Sequence, residues 1–467
     1  MAIPDKMPIF VVNLYIILKV VNALKKILTR TTDLHPLPDE IFTHYQAAKA
    51  TENNCFCSAP MVSMRIGTDG TVYACNHNTS FPLGKFPGQS LQEIWKGRPI
   101  KKLRRHLQHN DFSLGCTMCG EDALNGRFDA ASFTMFDKYK SGKWPAMLDF
   151  RLSNVCNLQC IMCSGLSSTQ FIQNRGPADT IYDTEFFNQL EAFIPHLDTA
   201  RFIGGEPFAI PVYYEIWKRI VRLNPDCKII VQTNATILND RIKALASKGK
   251  FHFSVSLDSL DKATYESIRR KADFDQVMDH IRYFAHYASE SQRDFVLCFC
   301  PMRMNYKEIP AFIDFSNELG GMICLNRFLY PAHLAVWSLP ANEISKILQF
   351  LSAYQPPEQT PAAANNARFF RDYLNLLQQW IDQAQHRKSH KNSSAEVAAL
   401  TEPLLTLARE NEDLYAKMQQ IAQHPELQQL YGYLKPVQDY YSPQLFFEFL
   451  ETADIKKVLE DIGAVKY

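Results

Sequence analysis

Residues 146–163 read AMLDFRLSNVCNLQCIMC, an apolar run typical of a buried strand followed directly by three cysteines on one loop. The thiols of Cys156, Cys160 and Cys163, at x3 and x2 spacing, can converge on a single metal centre. Three thiolates leave one position of an iron–sulfur cluster open for an exogenous ligand. A structural zinc ion needs a fourth protein ligand, and none lies nearby in the sequence. The stretch therefore predicts a strand that ends in an open iron–sulfur site.

Strand and helix patterns alternate through the region around this loop, residues 144–335. Strand-like runs occur at 146–152, 199–203, 228–232, 251–257, 295–299 and 322–326, and helical patterns lie between them at 184–194, 211–223, 239–247, 262–289 and 306–319. Six strands that alternate with helices predict a parallel sheet with right-handed crossovers, either doubly wound or a partial barrel. Both architectures place the functional site at the carboxyl ends of the strands.

Polar motifs follow three further strands of this region. The second strand leads into Gly204-Gly205-Glu206-Pro207, where the glycines permit close backbone approach and the carboxylate can bind an ammonium group. The third strand ends in Gln232-Thr233-Asn234 and the fourth in Ser256-Leu257-Asp258-Ser259. Polar strand ends that only lead into turns are the alternative explanation for these last two motifs. Their common position at strand ends indicates one shared site.

This set of motifs resembles the signature of the radical S-adenosylmethionine (radical SAM) enzymes over about residues 144–330. The resemblance implies an α/β fold with a partial (β/α)6 barrel. It implies that Cys156, Cys160 and Cys163 hold a 4Fe-4S cluster whose fourth iron binds S-adenosylmethionine. The cofactor would be cleaved reductively to a 5′-deoxyadenosyl radical, which abstracts hydrogen from a substrate. The cofactor-binding residues that the resemblance implies are Met162, Gly204, Gly205, Glu206, Pro207, Asn234, Ser256, Asp258 and Arg269 or its neighbour Arg270.

A second group of cysteines precedes the predicted barrel. Cys57 stands before a predicted strand pair at 62–66 and 72–74, Cys75 follows the pair, and Cys116 and Cys119 form a C-x2-C motif. The dipeptide Asp69-Gly70 between the two strands is a strong hairpin signal. Four thiolates in this arrangement suit a zinc ribbon or a fully ligated 4Fe-4S cluster, and spacing alone does not choose between them. Cys55 is a spare thiol, either a bystander or an alternative ligand.

The order C-x2-P, D-G-x-V-x-x-C, L-G, S-L-x-E-I-W and C-x2-C in this segment resembles the SPASM region, or its shorter twitch form. The resemblance implies that Cys57, Cys75, Cys116 and Cys119 hold an auxiliary 4Fe-4S cluster. Such a region usually follows the barrel, whereas here residues 51–143 precede it. This departure leaves the docking position of the region open.

The length and composition of the chain limit which classes of protein and partner are possible. A chain of 467 residues suggests about three domains, and 46% hydrophobic with 21% charged residues excludes collagen-like, coiled-coil and wholly disordered chains. A formal charge of +1 gives no reason to expect a nucleic-acid partner.

Residues 1–50 are predicted to be a helical segment, and residues 336–467 a helical C-terminal extension. The apolar run at 9–24 is interpreted as a docked amphipathic helix, with contact to a membrane surface as the less favoured alternative.

These features predict a cytoplasmic enzyme, because short C-x2-C spacings without a clear secretory signal indicate a reducing compartment. Radical SAM enzymes with auxiliary-cluster regions often modify peptides or protein side chains, so the resemblance implies a peptide substrate, with small molecules still open. An electron donor such as a flavodoxin or ferredoxin is expected. The rival hypothesis is a non-catalytic scaffold that holds iron–sulfur or zinc and binds a partner.

Overall fold

A nine-stranded sheet organises the computed structural model of the chain. Its strands are β1 (Ser63–Ile66), β2 (Thr71–Tyr73), β3 (Gly84–Lys85), β4 (Met147–Phe150), β6 (Thr199–Phe202), β7 (Lys228–Thr233), β8 (Lys250–Ser256), β10 (Phe295–Phe299) and β11 (Met322–Leu325), and a separate two-stranded ladder joins β5 (Gln159–Cys160) to β9 (Arg269–Arg270). The order across the large sheet is β11-β10-β8-β7-β6-β4-β1-β2-β3.

The structure describes residues 36–49, 54–128, 132–163, 181–328, 330–389, 394–409, 411–440, 446, 450, 455–463 and 465. The helix predicted at 9–24 lies outside these residues.

The six strands β4, β6, β7, β8, β10 and β11 are parallel, and each pairs with the next in chain order. Helices connect successive strands of this set. A doubly wound sheet would reverse the strand order at a switch point, and this sheet does not. The α/β fold class is therefore confirmed, with the connectivity of a partial (β/α)6 barrel.

The two faces of the sheet differ in polarity because side chains alternate along a strand. In β8, Phe251, Phe253 and Val255 are buried, and the Phe253 ring packs on Phe284 of a covering helix at 4.4 Å between centroids. The residues between them, such as Ser254, are only partly buried on the opposite face. In β8, therefore, one face packs in the core and the other carries partly exposed polar side chains.

Helices cover the apolar face and both ends of the sheet. The described helices are Asp39–Lys49, Ala59–Val62, Leu91–Lys96, Arg98–Gln108, Thr117–Leu124, Thr184–Glu191, Pro211–Leu223, Asp240–Ala246, Lys262–Ile268, Phe274–Ser291, Ile309–Glu318, Ala341–Ser352, Pro361–Ser389, Ser394–Ala408, Glu412–Ala422, Leu427–Tyr440 and Ile455–Gly463. In the part of the chain that the structure describes, no helix is both long and apolar enough to cross a membrane.

The single helix predicted at 262–289 is wrong. The structure ends one helix at Ile268 and starts another at Phe274, with β9 between them. Lys271 takes the left-handed backbone conformation (φ 74°), and the Asp273 side chain caps the second helix by accepting from the Gln276 backbone N–H at 3.1 Å. Helical periodicity continues across the break, which is why the sequence pattern concealed it.

The cysteine-rich segment shares the large sheet with the barrel. Strand β1 pairs in parallel with β4, and β2 and β3 extend the sheet in antiparallel fashion. Gly70 makes the tight turn between β1 and β2 at φ 83°, a conformation that glycine adopts without strain. The division predicted between residues 143 and 144 therefore separates two stretches of chain and does not separate two sheets.

The helical C-terminal extension is tied to the loop that follows β11. The buried Asp461 carboxylate accepts from the backbone N–H groups of Ala332 (2.8 Å) and His333 (2.6 Å). The Tyr330 hydroxyl donates to the carbonyl of Tyr433. These contacts dock the extension on the last strand of the barrel.

Candidate functional site

The loop that carries Cys156, Cys160 and Cys163 follows β4 at the carboxyl edge of the sheet. It folds back on itself, since the Cys163 N–H donates to the Cys160 carbonyl at 3.0 Å. It is also anchored to the break after β8: β5 pairs with β9, and the Ile161 N–H donates to the Ile268 carbonyl at 2.9 Å. The structure thus places the three predicted cysteines on one loop whose backbone is anchored to the break after β8.

The thiols of Cys160 and Cys163 share a hydrogen bond. This bond from Cys163, together with the nearby Arg269 guanidinium, lowers the pKa of Cys160 to about 7 against the opposing effect of burial. The same bond and burial raise the pKa of Cys163 well above its usual range. The Arg269 guanidinium thus favours the thiolate form of Cys160.

Gly204 and Gly205 pack against the backbone that leads into the cysteine loop. A Cβ at Gly204 would overlap the Ser153 carbonyl oxygen, and a Cβ at Gly205 would overlap that of Val155. The Gly205 N–H donates to Ser153 at 3.2 Å and the Glu206 N–H donates to Val155 at 2.7 Å. Only glycine permits this approach, which makes the two motifs one structural unit.

The Glu206 side chain is fully buried, with 0% of its surface exposed. Its Oε1 accepts from the Phe208 N–H (3.1 Å) and the Thr233 hydroxyl (2.7 Å), and its Oε2 accepts from the Asn234 N–H (2.7 Å). Burial raises the pKa of this carboxyl to about 7, although the three hydrogen bonds act in the opposite direction. The carboxylate thus fixes the Gly204–Pro207 loop to the end of β7.

Asn234 lies beside Cys156, the first cysteine of the three-thiol loop. Its amide nitrogen is 3.9 Å from the Cys156 sulfur and donates to the Asn157 side chain at 3.0 Å. Ser256 is the last residue of β8 and, like Met162 on the cysteine loop, is partly buried. The structure places all three near the carboxyl edge of the sheet.

Asp258 and Arg269 form a buried ion pair beside the cysteine loop, with 2.6 Å between Oδ2 and Nη2. Asp258 also accepts from the Cys300 N–H at 2.7 Å. Burial acts to lower the pKa of Arg269, but Asp258 and Cys160 raise it well above its usual range. Its neighbour Arg270 is exposed and pairs with Gln159 across the short ladder. Of the two arginines, only Arg269 is bound into this network.

The four thiols of Cys57, Cys75, Cys116 and Cys119 line one small cavity in the cysteine-rich segment, together with Asn78. Burial and the nearness of the other three thiols raise the pKa of Cys57 well above its usual range. Within the described residues, no three Cys, His, Asp or Glu side chains are close enough to hold a single metal ion. A cluster is a larger body than one ion, so its fit rests on the shared cavity and on donors directed at the sulfurs.

Asn78 supplies those donors. Its backbone N–H donates to the Cys75 sulfur at 3.4 Å, and its side-chain nitrogen lies 3.1 Å from the Cys116 sulfur and 2.7 Å from the Leu114 carbonyl oxygen. Gly115, in the left-handed conformation (φ 76°), leaves room for this side chain, because a Cβ there would lie 2.5 Å from Asn78 Oδ1. Hydrogen bonds to sulfur are an ordinary feature of iron–sulfur sites. No motif in the sequence marks Asn78 as a site residue, although it stands three residues after Cys75.

Cys55 is set apart from this cavity. The residues that line the cavity do not include it, and its buried thiol donates to the Cys57 carbonyl at 3.4 Å. Burial raises the pKa of this thiol to about 11. The structure therefore places Cys55 behind the backbone of a cavity residue, in the position of a bystander.

Comparisons with known proteins agree with both parts of this arrangement. The sequence model of the radical SAM superfamily matches residues 150–315, and that of the SPASM iron–sulfur cluster-binding domain matches residues 55–120. These domains assign a 4Fe-4S cluster, an auxiliary cluster and S-adenosylmethionine as cofactors. The three-thiol loop and the four-thiol cavity fall within the two matched regions.

Curated relatives match only part of the chain. A GTP 3′,8-cyclase of Chlorobaculum tepidum is 26% identical over 195 residues, which are 41% of this chain and 56% of that protein. A probable GTP 3′,8-cyclase of Methanocella arvoryzae is 31% identical over 148 residues, 32% of this chain and 45% of that protein. The chain thus spans about half the length of the curated relatives it matches.

The solved structures that match have low sequence identity and low TM-scores with this chain. SuiB of Streptococcus suis bound to the precursor peptide SuiA is 14% identical with a TM-score of 0.35, covering 56% of this chain and 61% of that one. The enzyme anSMEcpe with bound AdoMet is 20% identical with a TM-score of 0.34, covering 44% and 59%. Similarity at this level supports no inference about substrate. From the sequence matches, the chain carries a radical SAM domain over residues 150–315, preceded by a SPASM iron–sulfur cluster-binding domain over residues 55–120.

Proposed function

We propose that the protein is a radical enzyme that modifies or oxidises a peptide or protein side chain. The observation that carries the proposal is the pair of thiol sites: three thiols on a loop at the carboxyl edge of six parallel strands, and four thiols around a separate cavity. When bound, the first cluster and S-adenosylmethionine supply a 5′-deoxyadenosyl radical that abstracts hydrogen from the substrate.

Cys156, Cys160 and Cys163 would hold the first cluster. The ladder between β5 and β9 fixes the backbone of Cys160, and the Arg269 guanidinium favours the thiolate there. Asp258 neutralises and orients Arg269 from the opposite side. Contacts within the chain thus hold the backbone of the loop.

The Gly204–Pro207 loop would carry the amino group of the cofactor's methionine. Because the Glu206 side chain is engaged with Phe208, Thr233 and Asn234, its carboxylate acts as a positioning group that holds the loop. The remaining proposed cofactor contacts are those of Met162, Ser256 and Asn234.

Cys57, Cys75, Cys116 and Cys119 would hold the auxiliary cluster, with Asn78 donating to two of the sulfurs. A second cluster can accept an electron from the substrate or hold the substrate in place. Its domain, residues 51–143, shares a continuous sheet with the barrel of residues 144–335, flanked in our proposed division by residues 1–50 and 336–467.

A peptide substrate is supported by the SPASM-type domain, since related enzymes with such domains often act on peptides. The relatives named GTP 3′,8-cyclase supply the alternative, a nucleotide substrate. We place the enzyme in the cytoplasm, where thiolate-bound clusters meet reducing conditions and donors such as flavodoxin or ferredoxin.

The test is anaerobic reconstitution of the full chain followed by reduction in the presence of S-adenosylmethionine. Formation of 5′-deoxyadenosine is expected, and its absence from protein with a full complement of iron would favour the scaffold hypothesis. A short peptide encoded next to this gene and GTP are then compared as substrates. A mass change in the peptide supports the proposal, whereas conversion of GTP alone overturns the peptide assignment.

A further inference from the structure

Arg65 is a buried cation without an anionic partner. It lies in β1 and is only 6% exposed, and its Nε and Nη1 are buried without a hydrogen-bond partner. Among the described residues, no carboxylate forms an ion pair with it. Burial of a guanidinium is unfavourable unless an opposite charge is nearby. We therefore expect an anionic group close to the Arg65 guanidinium.

The carboxylate on the neighbouring strand binds another arginine through one oxygen, Asp149 Oδ2, while its Oδ1 is buried without a partner. Arg65, Asp149 and Arg201 are lateral neighbours on β1, β4 and β6. Arg201 donates its Nε to Asp149 Oδ2 at 3.1 Å, and its Nη2 contacts the same oxygen. One carboxylate thus stands between two arginines, and the row keeps an excess positive charge.

Arg65 contacts the next strand of the cysteine-rich segment. Its guanidinium carbon lies over the Tyr73 ring, 5.4 Å from the centroid, and Tyr73 is its lateral neighbour on β2. Tyr73 lies two residues before Cys75, which lines the four-thiol cavity. The unpaired charge therefore lies against the strand that leads into one thiol of the cavity.

We propose that Arg65 is the buried counter-ion of the auxiliary cluster and raises its reduction potential. This inference rests on the proposed function only in taking Cys75 as a ligand. A cluster held by four thiolates is an anion, and reduction makes it more negative. A fixed positive charge beside it stabilises the reduced form more than the oxidised form, whereas Asp149 opposes this effect. Arg65 thus acts on the cluster through its charge and not as an iron ligand.

The experiment is a redox titration of the reconstituted full chain, followed by electron paramagnetic resonance. Arg65→Gln should lower the ratio of reduced to oxidised auxiliary cluster about tenfold at a fixed ambient potential, equivalent to about 59 mV for one electron. Arg65→Lys keeps the charge and should lie close to wild type. Asp149→Asn removes the opposing charge and should shift the potential upward. Arg104→Gln is the matched control, since Arg104 also stacks on an aromatic ring, that of Trp95, in the same segment.

Equal potentials in wild type and Arg65→Gln, each with full iron content, would overturn the inference and leave the proposed function intact. If Arg65→Gln fails to fold, Asp149→Asn decides, and an unchanged or lower potential there overturns it. Reconstituted wild type with about four irons and no second cluster would instead overturn the auxiliary-cluster part of the proposed function.

Discussion

Cys160 and Arg269 face each other as lateral neighbours in the two-stranded ladder that joins the cysteine loop to the break after β8. Arg269 in turn pairs with Asp258, the residue two positions beyond the end of β8. Cys160 on the cysteine loop is therefore connected, through the buried Arg269 guanidinium, to Asp258 at the carboxyl end of β8.

Removal of the carboxylate from this connection should destabilise the protein. Asp258→Asn leaves the Arg269 guanidinium buried without its counter-ion, and breaking such a pair typically costs about 3–5 kcal/mol. Chemical denaturation of the cluster-free protein measures the change. Asp279→Asn, which breaks the exposed pair with Arg282, is the control and should change stability by less than about 1 kcal/mol. Equal stability of the two variants would show that the buried pair is not required.

Replacement of Cys156, Cys160 and Cys163 by Ala should abolish reductive formation of 5′-deoxyadenosine, because three thiolates with one open iron site are needed to bind the cofactor. Product is measured by chromatography after anaerobic reconstitution. Cys227→Ala, which removes a buried thiol just before β7, should retain the activity. Near-normal cleavage by the triple variant would contradict the assignment of this loop.

Gly205→Ala should disturb the cysteine loop. The added Cβ would overlap the Val155 carbonyl, so the backbone before Cys156 must shift, at an expected cost of about 1–3 kcal/mol. Lower stability and less iron in the first cluster are expected, by denaturation and metal analysis. Gly142→Ala has room, with its nearest neighbour at 3.9 Å, and should match wild type. Wild-type iron and stability in Gly205→Ala would mean that the two motifs are not packed as described.

Much of this arrangement follows from the sequence, and the reasons for the exceptions are physical. The strand at 295–299 was predicted to the residue, because an apolar run bounded by polar residues identifies a buried strand. The break at Arg269–Arg270 was missed, since pairing with β5 depends on a tertiary contact that periodicity does not record. The motif around Glu206 follows β6, as the sequence pattern indicates, but its buried partners Thr233 and Asn234 depend on how two strand ends meet.

Glu206→Ala should weaken cofactor binding about ten- to hundredfold, since the loss of charge-assisted hydrogen bonds worth roughly 1.5–3 kcal/mol releases the Gly204–Pro207 loop from β7. Calorimetry with S-adenosylmethionine measures the affinity, and the absorption spectrum of the cluster should be largely intact. Glu206→Gln should also bind more weakly, because its amide nitrogen cannot accept from the backbone N–H groups. Glu215→Ala, on the exposed side of the next helix, is the control. Unchanged affinity in both Glu206 variants would make this residue an ordinary turn residue.

Removal of Cys116 and Cys119 together should separate the two clusters. Reconstituted wild type is expected to carry roughly eight irons per chain, and the double Ala variant about four, because the remaining thiols of Cys57 and Cys75 cannot hold a closed cluster. The variant should still cleave S-adenosylmethionine but without coupled product, since radical formation needs only the open-site cluster.

Cys55→Ala is the matched control for this double variant, because its thiol is buried in the same segment without lining the cavity. It should keep about eight irons. Metal analysis of the full chain also distinguishes the auxiliary cluster from the main alternative, a zinc site. If the wild-type protein binds zinc stoichiometrically in this segment and retains only about four irons after reconstitution, the four thiols form a zinc site and the second cluster has no part in the reaction.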